Sequence, residues 1–225
     1  MNTKDLAQKL ADAVIAWDVG QAKQFAWELV NAGVDPIEVI EQSLAPAMRG
    51  VGEKFERMEY YLPELMLAAD AMNVAVKILT SKLKGERRAA FEATKQGVVV
   101  LGTVAGDIHD IGKNIVALML EINGFEVHDL GKDVAPMEFI KKAEEVEADI
   151  IGLSSLMTST KVSQQDVIKL LEGMGYRHRY KIMVGGASTS KKWAREIGAD
   201  TWSETAQNAV QVAEELVKNK MKKMS

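Results

Sequence analysis

Histidine is scarce in this chain, three in 225 residues, and one of them stands in "GDIHDIGKN", residues 106 to 114, between two aspartates and ahead of a glycine. An imidazole that ligates a metal through one nitrogen usually donates its other N–H to a carboxylate, which fixes the tautomer and strengthens the ligand. His109 and Asp107 supply the residue types for that arrangement, and Gly106 and Gly112 leave the segment free to bend sharply. Asp110 reads as a cap for the helix that follows. His128 and His178 have no such company and read as surface or structural histidines.

A lone histidine does not make a protein-only metal site, because zinc or non-haem iron takes three or four protein ligands and no others cluster here. The chain also has no cysteine, which removes disulfides, thiolate zinc, iron-sulfur clusters and a cysteine nucleophile together. A metal at His109 must bring its own ligands. That points to a macrocycle, haem or corrin, to which the protein adds one axial nitrogen.

The elements that would position this histidine fall into two grammars. From residue 3 to about 85 apolar residues recur at helical spacing, which predicts a four-helix bundle. Its third helix has Asp35 as cap, Pro36 at the first position, and a stripe of Ile37, Ile40, Leu44, Met48, Val51 and Phe55, with a kink expected at Pro46. A fourth helix starts at Pro63 and carries Leu65, Ala68, Met72, Val76, Leu79 and Leu83 on one face, ending near Gly85. The charged stretch 84–97 is the natural linker, so the domains are expected as 1–88 (helical cap), 89–96 (linker) and 97–225 (α/β).

After the linker, apolar runs alternate with amphipathic helices, the pattern of a parallel sheet covered on both faces. Five strands are expected: "GVVVLGTV", "FEVHDLG", "ADIIGLSSL", "YKIMVGGA" and "ADTWS". The first helix spans about 111 to 122, with Ile111, Ile115, Leu118 and Ile122 on one face and Gly124 just past its end. The fold class is thus a two-domain α+β chain, a four-helix bundle followed by a flavodoxin-like, doubly wound, five-stranded parallel sheet. Ligands in such sheets bind beyond the carboxyl ends of the strands, where His109 falls.

At 47% apolar and 27% charged residues the composition is that of a soluble globular protein, of one large or two small domains. A net charge of −4 argues against nucleic acid or an anionic membrane as the main partner. No signal peptide and no apolar run near the roughly 20 residues of a membrane span is present. The expected location is the cytoplasm.

The segment "GTVAGDIHDIGKNIV" carries an Asp-x-His-x-x-Gly motif and resembles the cobalamin-binding domains of methionine synthase, of base-off mutases and of methyltransferase corrinoid proteins. "GLSSLMTST" (152–160), "VGGASTS" (184–190) and "GADTWSETAQNAV" are similar to the family's other cofactor segments and its last strand and helix. The resemblance implies a cobalamin or related corrinoid bound base-off, with His109 as the lower ligand of cobalt. It implies that Ser154 hydrogen-bonds the displaced nucleotide tail and that Gly185 and Gly186 line its slot, with Gly112 in the motif. It also implies a ligand triad that continues from His109 through Asp107 to a hydroxyl, Thr160 by position, with Ser155 or Ser159 as substitutes.

"MRGVGEKFERMEYYLPELMLAADAM" (48–72) resembles the cap of methyl-transferring corrinoid proteins, which implies that Phe55, Leu62, Leu65 and Met66 shield the upper corrin face and that 84–97 acts as a hinge. On that resemblance the chain is a non-catalytic methyl carrier whose cobalt cycles between cobalt(I) and methyl-cobalt(III). The implied partners are a substrate-specific methyltransferase for a methylamine, methoxylated compound or methanol, a second methyltransferase acting on coenzyme M or tetrahydrofolate, and a reductive activator. The competing reading is a cobalamin-binding regulatory or sensor protein, which would normally add a DNA-binding or signalling module. A response-regulator receiver fails because its phosphoacceptor position after the third strand reads "LSSL", and neither a phosphate loop nor a dinucleotide fingerprint occurs.

Overall fold

The computed structural model describes residues 2–92 and 94–224, with side chains through residue 218. It divides into two compact units, Met1–Lys95 and Gln96–Ser225.

The first unit is helical. α1 (Thr3–Ile15) and α2 (Val19–Asn31) are capped by Asn2 and Asp18, whose side chains accept from the backbone N–H of Lys4 and Gln21. The third helix begins as predicted, with Asp35 accepting from Ile37 N–H and Pro36 in its first turn. It runs through α3 (Pro36–Val39), a π-helical segment (Ile40–Leu44) and α4 (Ala45–Glu56). Where a kink was expected at Pro46, the helix has a π-helical segment just before the proline. Proline has no N–H to return to the carbonyl four residues back, and the ladder has already shifted so that Ala45 N–H bonds to Ile40 O, five residues back.

α5 (Leu62–Leu79) starts one residue before the expected Pro63, and Glu64 closes its N-terminus by accepting from Tyr61 N–H at 2.9 Å. Its buried face is Leu65, Ala68, Ala69, Ala71, Ala75, Ile78 and Leu79, so the expected stripe is rotated and Met72 and Val76 are only half-buried. Small residues on α5, and Ala22 and Ala26 on α2, let these two helices pack closely. Within the predicted linker lies a short helix, α6 (Gly85–Glu92), which buries none of its residues. With no apolar stripe it left no periodic trace in the sequence.

The second unit alternates β1 (Gly97–Thr103), α7 (Ile111–Ile122), β2 (Phe125–Asp129), α8 (Pro136–Glu145), β3 (Ile150–Ser154), α9 (Val162–Gly173), β4 (Lys181–Gly185), α10 (Lys191–Ile197), β5 (Thr201–Ser203) and α11 (Ala206–Met224). All neighbouring strands are parallel, in the order β2-β1-β3-β4-β5, the flavodoxin-like arrangement. α7 packs against α11, and α8 and α10 both pack against α9. One large apolar cluster joins Val100, Ile151, Leu153, Ile182 and Val184 of the strands to Phe139, Ile140, Val167, Ile168 and Ile197 of the helices.

Order reverses between β1 and β3, and the loops that carry chemistry sit at the carboxyl ends of those strands. A single rung of the sheet there runs Thr103, Ser154, Gly185, Ser203.

Candidate functional site

His109 lies in the loop between β1 and α7. Gly106, at φ +81°, makes the bend, and its N–H donates to Asp133 Oδ1 at 2.7 Å. Asp133 N–H in turn donates to Asp107 O, and Thr103 Oγ1 donates to His109 O at 3.1 Å, so the loop is tied down on both sides. Gly112 makes no bend. It is the second residue of α7, and a Cβ there would meet nothing within 4 Å, so glycine leaves the surface beside the histidine open. Asp110 does occupy the N-cap position, yet its side chain makes no cap hydrogen bond.

Asp107 is fully buried and organises the site. Its Oδ1 accepts from His109 Nδ1 at 2.8 Å and from His109 N–H at 3.1 Å. Its Oδ2 accepts from Thr160 Oγ1 at 2.7 Å and from the N–H groups of Leu156 and Met157 at 2.8 and 3.2 Å. Burial pushes the carboxyl pKa up, but the hydrogen bonds from Thr160, from the ring and backbone of His109 and from Met157 outweigh it and hold the group well below the usual carboxylate range. An ionised Asp107 keeps the proton on His109 Nδ1, which leaves the Nε2 lone pair free.

Thr160, the expected hydroxyl, is buried on the turn before α9 and lies 2.9 Å from Ser155 Oγ, so the network runs His109, Asp107, Thr160, Ser155. Ser155 was weighed only as a substitute for Thr160 and instead adjoins it, whereas Ser159 is exposed. Ser154 and Gly185 are adjacent on the last rung of the sheet. Gly186 follows at φ +110°, where a Cβ would come within 2.0 Å of Ser155 O. Only glycine fits there.

Ile111, predicted to face the core, is 71% exposed, and Ile108 and Leu156 beside the same loops are 64% and 44% exposed. The buried residues of α7 are Lys113, Ala117, Met119, Leu120 and Ile122, so of the predicted stripe only Ile122 is buried. No group of three or more metal-ligating side chains occurs among the described residues. A single half-exposed imidazole nitrogen flanked by exposed aliphatic side chains fits a metal held in a flat, largely apolar ring better than a bare ion.

Two buried polar groups escaped the sequence reading. The Lys113 ammonium, on the core face of α7, pairs with Asp129 and donates to Asn114 Oδ1 at 2.6 Å. The second is Gln164, fully buried on α9. Their only trace was a polar residue at an apolar-phase position of a helix. His128 pairs with Glu126 and takes no part in the site.

In the helical unit, Phe55 and Leu62 are half-buried and Met66 is 54% exposed. Leu65, expected beside Met66 on the shield, is fully buried. No described helix is long and apolar enough to cross a membrane.

Residues 97–211 match the B12 binding domain model, and residues 6–80 match a second B12 binding domain model. Dimethylamine corrinoid protein 2 of Methanosarcina acetivorans is 48% identical over 96% of this chain and 98% of its own length. Trimethylamine corrinoid protein 2 of the same organism is 41% identical over 96% and 98%. Among solved structures, the methanol:cobalamin methyltransferase complex MtaBC of Methanosarcina barkeri matches with a TM-score of 0.84 at 26% identity, covering 95% of this chain and 80% of the matched one. With both B12-binding domains in place, a corrin-compatible histidine site and near-half identity along almost its whole length, the chain belongs to the B12-binding corrinoid proteins of methyltransferase systems.

Proposed function

We propose that this protein is the methyl carrier of a methylamine methyltransferase system, with dimethylamine as the donor suggested by its relatives' names. The observation that carries the reading is the buried Asp107 carboxyl 2.8 Å from His109 Nδ1, an arrangement that turns Nε2 outward as the free ligand nitrogen at the carboxyl end of β1. When bound, the corrinoid supplies a cobalt that accepts and gives up a methyl group as it alternates between the cobalt(I) and cobalt(III) levels.

In this reading His109 Nε2 is the lower ligand. Asp107 sets the ring's tautomer and orientation, and Thr160 with Ser155 stores or returns the proton as the imidazole gains or loses anionic character. Ser154, Gly185 and Gly186 receive the nucleotide arm, and glycine at 186 lets the chain lie directly against the Ser155 backbone. Phe55, Leu62 and Met66 supply apolar surface that shields the reactive face from water and oxidants. One methyltransferase loads the carrier from the methylamine, a second unloads it to coenzyme M or tetrahydrofolate, and a reductive activator restores it after adventitious oxidation.

Electron paramagnetic resonance of the cobalt(II) holoprotein tests the ligand. Nitrogen-15 labelling of histidine is expected to convert the axial three-line splitting to two lines, and His109→Ala to abolish it; unchanged splitting rejects the assignment. For the donor, the reduced holoprotein mixed with a dimethylamine methyltransferase is expected to change its visible spectrum on addition of dimethylamine and not of methanol. The opposite preference overturns the donor proposed.

A further inference from the structure

Gln164 is fully buried, and both hydrogens of its amide and its oxygen have partners. Nε2 donates to Leu153 O at 2.9 Å and to Gly185 O at 3.1 Å, while Oε1 accepts from the Trp193 indole N–H at 2.9 Å. A buried polar group that makes all its bonds usually fixes whatever it bonds to. Here the bonds reach out of α9 to two strands, β3 and β4, at the residue before Ser154 and at Gly185 itself. Gly185 O also accepts from Ser155 N–H, so three elements meet at one carbonyl.

Next to it the loop from 186 to 190 is held by a second tryptophan. Thr189 Oγ1 donates to Gly186 O at 2.6 Å and accepts from Trp202 Nε1 at 3.0 Å. The Lys161 ammonium lies 4.7 Å from the centre of the Trp193 ring and covers that side chain. The ends of β3 and β4 are therefore set by an amide and two indoles contributed by α9, α10 and β5, none of which belongs to the histidine network.

We propose that Gln164, oriented by Trp193, is a positioning residue that holds the ends of β3 and β4 in register for the nucleotide arm of the corrinoid. The pair thereby makes the protein favour complete corrinoids over those that lack the nucleotide. This rests on the functional reading above, in which Ser154, Gly185 and Gly186 receive that arm. An apolar side chain at position 164 would take one hydrogen bond from each of two buried carbonyls and leave the Trp193 indole N–H without its partner, loosening the strand ends. His109 is carried by the β1 loop and meets these strand ends only through the contacts of Asp107 with Ser155, Leu156 and Met157, so the histidine is affected less than the arm.

The test compares two probes on the full-length apoprotein: hydroxocobalamin, and cobinamide, which has the same ring without the nucleotide. Affinities are read from visible absorbance for the parent, Gln164→Met and Trp193→Phe, with circular dichroism melts in parallel. The parent is expected to prefer cobalamin. Each variant is expected to lose roughly tenfold in cobalamin affinity, about the effect of one buried hydrogen bond, while cobinamide binding stays within about twofold.

Trp193→Phe keeps an aromatic side chain but removes the pyrrole half with its N–H, leaving the Gln164 bonds to both carbonyls in place, so it carries the comparison should Gln164→Met unfold. Equal losses for both probes, or none for either, overturn the inference and leave the histidine ligand standing. A parent that holds both probes equally well also overturns it. A parent that binds neither overturns the functional reading and this inference with it.

Discussion

Asp107 shows how much one side chain can organise. A buried carboxylate survives here because hydrogen-bond donors from the β1 loop and the β3–α9 loop surround it, and the same donors fix which nitrogen of His109 is free. Asp107→Asn presents an amide N–H₂ to groups that are themselves donors. It is expected to lower apoprotein stability by about 2 kcal/mol in urea unfolding and to shift the holoprotein's cobalt(II)/cobalt(I) balance more than its corrinoid affinity. Thr160→Val removes one of those donors and is expected to cost about 1 kcal/mol in the same measurement. The pairing of His109 with Asp107 was legible because both lie in one short glycine-flanked segment. Gln164 and Lys113 were not, since their partners lie 21 and 16 positions away and sequence does not reveal which strand end a side chain will meet.

At the scale of elements, the strands and their order were legible because continuous apolar runs between amphipathic helices leave few alternatives to a parallel sheet. The helices were read less well, for a physical reason. Periodicity reports where apolar residues are, not which of them the protein buries, and Ile111 carries the helical phase while standing exposed beside His109. α6 has no apolar face and was invisible.

Gly186→Ala places a Cβ against Ser155 O and forces an unfavourable backbone angle, so a loss of about 3 kcal/mol or more is expected in urea unfolding. At the opposite end of the sheet, Asp200 accepts from Ile182 N–H, Arg177 and Lys181. Burial raises its pKa, and these partners more than reverse that, leaving it below its ordinary value of 3.8. A carboxylate whose pKa is depressed by folding stabilises the folded state above its unfolded-state value, and that contribution disappears as pH falls toward the folded-state one. Asp200→Asn is therefore expected to melt at a lower temperature than the parent at pH 7, by an amount equivalent to about 2 kcal/mol, and the gap should narrow as the pH drops below about 4.

For the whole molecule, the division at Lys95 separates a unit built on helices from one built on a sheet, and each matches its own B12-binding model. The proposed shield belongs to the first and the proposed ligand to the second. Phe55→Ala and Leu62→Ala are expected to speed air oxidation of the reduced holoprotein severalfold without changing the histidine splitting in the cobalt(II) spectrum; unchanged oxidation rates would remove the shield from the account. Every group that aims His109 comes from the sheet unit: Thr103, Gly106, Asp107, Asp133, Ser155 and Thr160. The imidazole's orientation is thus settled when that unit folds, before any corrin arrives. If His109 is the ligand proposed above, capture freezes little additional motion of that side chain, and little of the binding free energy is lost to arranging it.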